Sequence, residues 1–151
     1  MKVLFVSAVL VLADQVSKRI VVNTMSLYES IPVIENFLHF TYITNDGMAF
    51  GINFPFGYYI FTAVSILLTI FLLWYLWSLK DHSIIPRLGL ALIIAGAFGN
   101  LIDRIFLGEV IDFLDFMIGD FHWYVFNFAD SYVTIGMITV SYTHLTLPTS
   151  K

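Results

Sequence analysis

The chain has 151 residues, 59% of them hydrophobic and 12% charged, whereas about a quarter of a soluble domain is charged. That composition excludes an ordinary soluble globule and predicts one compact membrane bundle over residues 1–151, too short for two domains. A net charge of −4 with no basic cluster excludes nucleic-acid binding. The absence of cysteine excludes disulfides, thiolate metal sites and a thiol nucleophile, and four histidines without ligand spacing predict no metal.

A helix needs about 20 mostly apolar residues to cross a bilayer core. The first such stretch is residues 3–22, interrupted by Asp14, Lys18 and Arg19. Lys2 followed by an apolar run also fits a secretory signal peptide. The apolar character resumes at residues 20–22 and no small-x-small cleavage pattern appears, so a retained helix fits better. Asp14 and Lys18 are four residues apart and share a helical face. They form either a structural ion pair or part of a site.

Residues 23–57 contain no Lys or Arg. Within them, residues 37–44 are rich in aromatic and β-branched side chains and predict a strand. Asn45, Asp46 and Gly47 carry a turn signal. Residues 48–56 are apolar but too short to cross, and predict an interfacial segment. Residues 58–79 are the clearest span, with no charged side chain. Lys80 and Arg87 flank the short turn that follows.

The third span is residues 84–107. Its small residues Gly89, Ala95, Gly96, Ala97 and Gly99 predict a close-packing face. Gly96, Asn100 and Arg104 recur every four residues on one face. Asp103 and Arg104 either cap the helix, pair with each other or serve a site. Residues 109–116 and 121–126 predict two strands joined at Gly119 and Asp120. Asp115 and Asp120 read as solvated loop carboxylates, and Trp123 with Tyr124 as interfacial aromatics.

The fourth span is residues 127–142, where Asn127, Asp130, Ser131 and Thr134 share a face. Its apolar character gives way at Ser141, and residues 141–151 read either as a non-native tail or as a helix that simply ends early. Placing Lys2, Lys80 and Arg87 inside puts the N-terminus in the cytoplasm and both long loops outside. Lys18 and Arg19 then lie near the outer end of the first span, where Arg19 can snorkel.

Ionisable side chains at membrane depth default to a functional hypothesis. Here they converge on the outer side: Asp14, Lys18, Asn100, Asp103, Arg104, Asp112, Asn127 and Asp130. No serine has a nearby histidine at membrane depth, which argues against a serine nucleophile. Two carboxylates in one site do not both ionise cheaply, and such a pair can activate water against an amide. Asp112, in a loop falling back on the bundle, and Asp130, at the top of the fourth span, are the candidates.

At these residues the chain resembles the lipoprotein signal peptidase (signal peptidase II) family. The carrying segments are Asp14-Gln15-Val16-Ser17-Lys18, Asn45-Asp46-Gly47-Met48-Ala49-Phe50-Gly51, Gly96-Ala97-Phe98-Gly99-Asn100-Leu101-Ile102-Asp103-Arg104, Val110-Ile111-Asp112-Phe113 and Phe126-Asn127-Phe128-Ala129-Asp130-Ser131. Each is weak alone; five in order are specific. Ala95 stands where many members have glycine, and the tail after Val140 departs from the family's basic end.

The resemblance implies an all-α integral membrane protein of four transmembrane helices, with a small periplasmic β-cradle and an interfacial helix. It implies a monomeric aspartic endopeptidase of the bacterial inner membrane, its active site toward the outer face. That enzyme would remove the signal peptide from diacylglyceryl-modified prolipoproteins before the lipidated cysteine, without metal or other cofactor. Asp112 and Asp130 would be catalytic; Asp14, Lys18, Asn45, Gly47, Asn100, Arg104 and Asn127 would support the site or substrate. Membrane lipids and globomycin-type inhibitors would be partners. Two alternatives are a proton- or ion-coupled transporter subunit using Asp14, Lys18 and Asp130, and a structural subunit. The apolar inner halves of the spans argue against the first; the clustered acids and amides argue against the second.

Overall fold

A computed structural model describes residues 2–46, 56–119 and 121–146. Long apolar runs dictate helices here, and the shorter, β-branched and aromatic stretches between them carry the strands. The first helix, α1, is Lys2–Thr24; two strands follow, β1 (Ser30–Ile34) and β2 (Leu38–Asn45). Next comes a helical hairpin, α2 (Gly57–Ser78) and α3 (Ile84–Leu107). Two further strands, β3 (Val110–Ile118) and β4 (Phe121–His122), precede α4 (Phe128–Thr146).

The element ends follow local chemistry. Pro86 lies in the first turn of α3, where its missing N–H has no intrahelical acceptor anyway. α3 stops at Gly108, which takes the left-handed conformation (φ 84°) and donates its N–H to the Arg104 carbonyl at 3.2 Å. Helices α2 and α3 are each long and apolar enough to cross a membrane. Much of α2 presents bare hydrophobic side chains, Leu67, Phe71 and Trp74 among them, as a lipid-facing helix must.

The four strands form an antiparallel sheet in the order β1-β2-β3-β4. The central pairing joins β2 to β3 across the whole α2–α3 hairpin and sets Ile43 opposite Asp112. Ile111, Phe113 and Leu114 of β3 pack on Val21 and Met25 at the end of α1. Phe126 closes onto Leu114 through 2.7 Å and 3.0 Å backbone bonds, so the chain enters α4 beside β3. A second apolar cluster, built on Val3, Leu72, Leu76, Leu90, Ala91 and Ile94, holds the opposite end of α1, α2 and α3.

Four readings of the sequence change. β1 was not anticipated: it contains Pro32, is exposed along its length and exists by pairing with β2. β4 is only two residues long; the rest of the expected 121–126 strand reduces to the Phe126–Leu114 bridge. α4 does not fail at residue 141 but continues to Thr146. Asp115 is buried, not solvated: it takes a 2.8 Å hydrogen bond from Thr41 Oγ1 and lies 3.0 Å from His122 Nδ1. Gly47, the expected interfacial segment up to residue 55, Asp120 and residues 147–151 lie outside the described residues.

Helices α3 and α4 touch backbone to backbone. A methyl group on Gly96 would run into the Ala129 carbonyl and Val133; one on Gly136 would meet the Gly89 carbonyl at 2.6 Å. Small residues permit that approach. We therefore expect Gly96→Ala to push the start of α4 away. Overpacking of this kind costs about 1–3 kcal/mol, read as a lower unfolding temperature in detergent. An unchanged temperature would show that α4 relaxes without cost.

Candidate active site

The polar residues of α1, α3, β3 and α4 meet at one end of the bundle. Lys18 is 1% exposed and Asp14 is fully buried. The Lys18 ammonium has three N–H donors and three oxygens receive them: Asp14 Oδ2 at 3.0 Å, Asp103 Oδ2 at 2.7 Å and Asn100 Oδ1 at 3.0 Å. Asp14 then reaches α4, its Oδ1 accepting the Ala129 N–H at 3.0 Å. Asp103 reaches β3, accepting the Ile111 N–H at 3.3 Å. Gln15 closes the cluster, donating to Asp103 Oδ1 at 2.9 Å and to the Gly99 carbonyl at 3.1 Å.

Asn127 is the residue before α4 and acts as its N-cap. Its Oδ1 accepts the Asp130 N–H at 3.0 Å, and Asp130 Oδ2 accepts the Asn127 N–H at 3.3 Å. This is a reciprocal capping box. The Asn127 amide nitrogen faces the other way, donating to Asp112 Oδ1 at 2.7 Å, Asn100 Oδ1 at 3.1 Å and the Ile111 carbonyl at 3.2 Å. Two N–H groups serve three acceptors, so one is shared. Asn100 completes the ring by donating to Asp130 Oδ1 at 2.8 Å. Asp112 and Asp130 are thus both bound by Asn127.

Electrostatics separates the acids. Asp112 is 2% exposed; burial, then the charge of Asp130, pushes its carboxyl up from 3.8 to about 7 against the Asn127 hydrogen bond. Asp130 is only partly buried and opens to a groove of about 530 Å³ lined by Trp123, Tyr124, Phe126, Ser131, Thr134 and Ile135. Tyr124 accepts a 3.0 Å hydrogen bond from Asn45 Nδ2, and its hydroxyl titrates higher than usual through burial and the Asp112 and Asp130 charges. Arg104 lies near enough for Asp130, Asp103 and Asp112 to act on its charge, while its sheltered Nε–H has no hydrogen-bond partner among the described residues.

The cluster gathers every described member of the expected set: Asp14, Lys18, Asn45, Asn100, Arg104, Asp112, Asn127 and Asp130. It also separates Asp103 from Arg104, giving Asp103 to Lys18. Gln15 and Tyr124 were not anticipated as neighbours. Gln15 carried a signal, an amide inside an apolar span, that a count of ionisable groups passes over. No group of His, Asp or Glu among the described residues has metal-binding geometry.

Comparison with known proteins places the chain in a family. A family model described as signal peptidase (SPase) II matches residues 6–146. A lipoprotein signal peptidase of Desulforapulum autotrophicum is 44% identical over 142 residues, covering 91% of this chain and 87% of the relative. One from Clostridioides difficile is 48% identical over 126 residues, covering 83% and 82%. A bacterial membrane enzyme solved by the in meso method at 1.9 Å resolution superposes with a TM-score of 0.86 at 34% identity, over 97% of this chain and 94% of that one.

Asp112 generates a pH prediction. Its folded-state carboxyl holds a proton more tightly than the unfolded one, so the stability contributed by Asp112 is fully present below pH 3.8 and is lost as pH rises through about 7. The interval is worth on the order of 4 kcal/mol. Asp112→Asn, which stays neutral and still accepts from Asn127, should therefore melt higher than wild type at pH 8 and match it near pH 4. Equal melting at pH 8 would contradict a buried, charge-averse Asp112.

Proposed function

The chain belongs to the signal peptidase II family, and on that premise we propose that it removes the signal peptide from diacylglyceryl-modified prolipoproteins as an aspartic endopeptidase, with Asp112 and Asp130 as its two working carboxylates. The single observation that carries this reading is Asn127: one residue binds both acids, and the buried member titrates near neutrality. The transporter alternative finds no support in the matched proteins.

The chemistry follows from sharing one proton. The ionised acid accepts a proton from a water, whose oxygen attacks the scissile carbonyl carbon. The protonated acid donates its hydrogen to the developing oxyanion. When the tetrahedral carbon collapses, the C–N bond breaks, the leaving nitrogen takes a proton from one acid, a hydroxyl of the tetrahedral carbon returns its proton to the other, and the product carboxyl leaves the pair with its single shared proton. Asn100 and Asn127 hold both carboxylates through this cycle. Arg104 offers a free Nε–H to a substrate carbonyl.

Four helices spanning the membrane, the N-terminus inside, put the dyad at the outer face of the inner membrane. The scissile bond is then held at interface depth by its own acyl chains. Trp123 and Tyr124, on the groove that opens to Asp130, would serve as interfacial aromatics. Cleavage falls before the lipidated cysteine, one chain suffices, and no metal takes part. A globomycin-type cyclic peptide would occupy the same groove.

Asp112→Asn and Asp130→Asn should each lower prolipoprotein cleavage by about a thousandfold or more, while the protein still folds. Normal processing by either variant would sink the dyad. The pH–rate profile should carry an alkaline limb near the value to which Asp112 is raised, about 7. That limb belongs to the pair. Asn127→Ala removes the hydrogen bond that opposes the rise, so the limb should move to higher pH; a downward move would contradict the assignment.

A further inference from the structure

A second groove lies at the other end of the bundle. It has a volume of about 280 Å³ and is lined by Leu4, Leu73, Leu76, Trp77, Lys80 and Arg87. On α3, 13 residues separate Arg87 from Asn100, about 20 Å of helix, so the groove is remote from the proposed dyad. Its lining divides by chemistry: four apolar side chains from α1 and α2, and two cations at the α2–α3 turn.

Neither Lys80 nor Arg87 makes an ion pair among the described residues, although Asp81 is the next residue after Lys80. Lys80 Nζ rests 5.9 Å from the centre of the Trp77 ring. The Arg87 Nε–H is sheltered from solvent and has no hydrogen-bond acceptor. A sheltered donor without an acceptor is unfavourable. The first turn of α3 is uncapped as well: Ser83 makes no side-chain cap bond and no acidic side chain is present there.

An anionic oxygen beside Arg87 and Lys80 would resolve all of this. The adjoining apolar wall requires that the anion carry a hydrocarbon chain. We propose that this groove binds an acidic phospholipid, its phosphate on Arg87 and Lys80 and the head of one acyl chain along Leu4, Leu73, Leu76 and Trp77. The volume admits a headgroup and the first part of a chain, and the remainder lies in the bilayer. The lipid would then tie the α2–α3 turn to the start of α1. This rests on the membrane placement of α2 and α3 and not on the dyad.

The test is thermal unfolding of the full chain in phosphatidylcholine nanodiscs with increasing phosphatidylglycerol. Wild type should be stabilised by phosphatidylglycerol in a saturable way. Lys80→Gln with Arg87→Gln should weaken that response at least tenfold, and Arg87→Lys should keep most of it. Prolipoprotein cleavage in pure phosphatidylcholine should be the same for all, which reads the active site separately. Three results would each overturn the proposal: no preference for phosphatidylglycerol, an unchanged preference in the double variant, or the same stabilisation from inorganic phosphate alone.

Discussion

A single buried ammonium organises this end of the molecule. Lys18 gives its three N–H groups to α1 itself through Asp14, and to α3 through Asp103 and Asn100. Its partners pass the constraint on, Asp14 to the start of α4 and Asp103 to the start of β3. Burying charge is costly, and a buried ion pair is a weak source of net stability. What such a cluster does supply is a unique arrangement: any rotation of α1 would leave a charge unpaired at a cost of about 3–5 kcal/mol. The register of four elements is therefore fixed by one side chain.

The same cluster accounts for the raised carboxyl of Asp112. Four carboxyls gather here, Asp14, Asp103, Asp112 and Asp130, against two cations, Lys18 and Arg104. With Lys18 already committed to Asp14 and Asp103, little positive charge is left for Asp112. Asp130 sits in a different setting, at the head of α4 with Asn100 donating to its Oδ1 and a groove open beside it.

The parts legible in the sequence were those written in local periodicity. The Asp14–Lys18 spacing, the Asn100–Arg104 face and the Asn127–Asp130 face each need only the pitch of a helix. What escaped is nonlocal or chemically disguised. β1 has no alternation because nothing buries it; only β2 makes it a strand. Asp115 looked like a loop acid because its partners, Thr41 and His122, come from other strands. Ser141 and Thr143 looked like the end of α4. Yet Thr134, Thr139 and Thr143 return their hydroxyls to carbonyls three or four residues back, at 2.7 to 2.9 Å. A hydroxyl satisfied inside its own helix does not stop it.

That last point bears on Asp130, which stands at the head of the helix with the least apolar far end. Its position is set within the first turn of α4. Asn127 and Asp130 cap each other, the Ala129 N–H is held by Asp14, and Phe126 is pinned to Leu114. Behind them the Ala129 backbone rests directly on Gly96. Four independent contacts, from α1, α3, β3 and α4 itself, converge within five residues. The far end of α4 then serves to keep the helix against α3, through Gly136 and Val140 on Gly89. In the proposed reaction, a carboxylate that has to meet a lipid-tethered peptide would gain from that division: the groove beside it is lined by Ser131, Thr134 and Ile135 while the acid itself is held from the first turn. Binding energy from remote acyl chains is converted into rate only when the reacting groups are already in place.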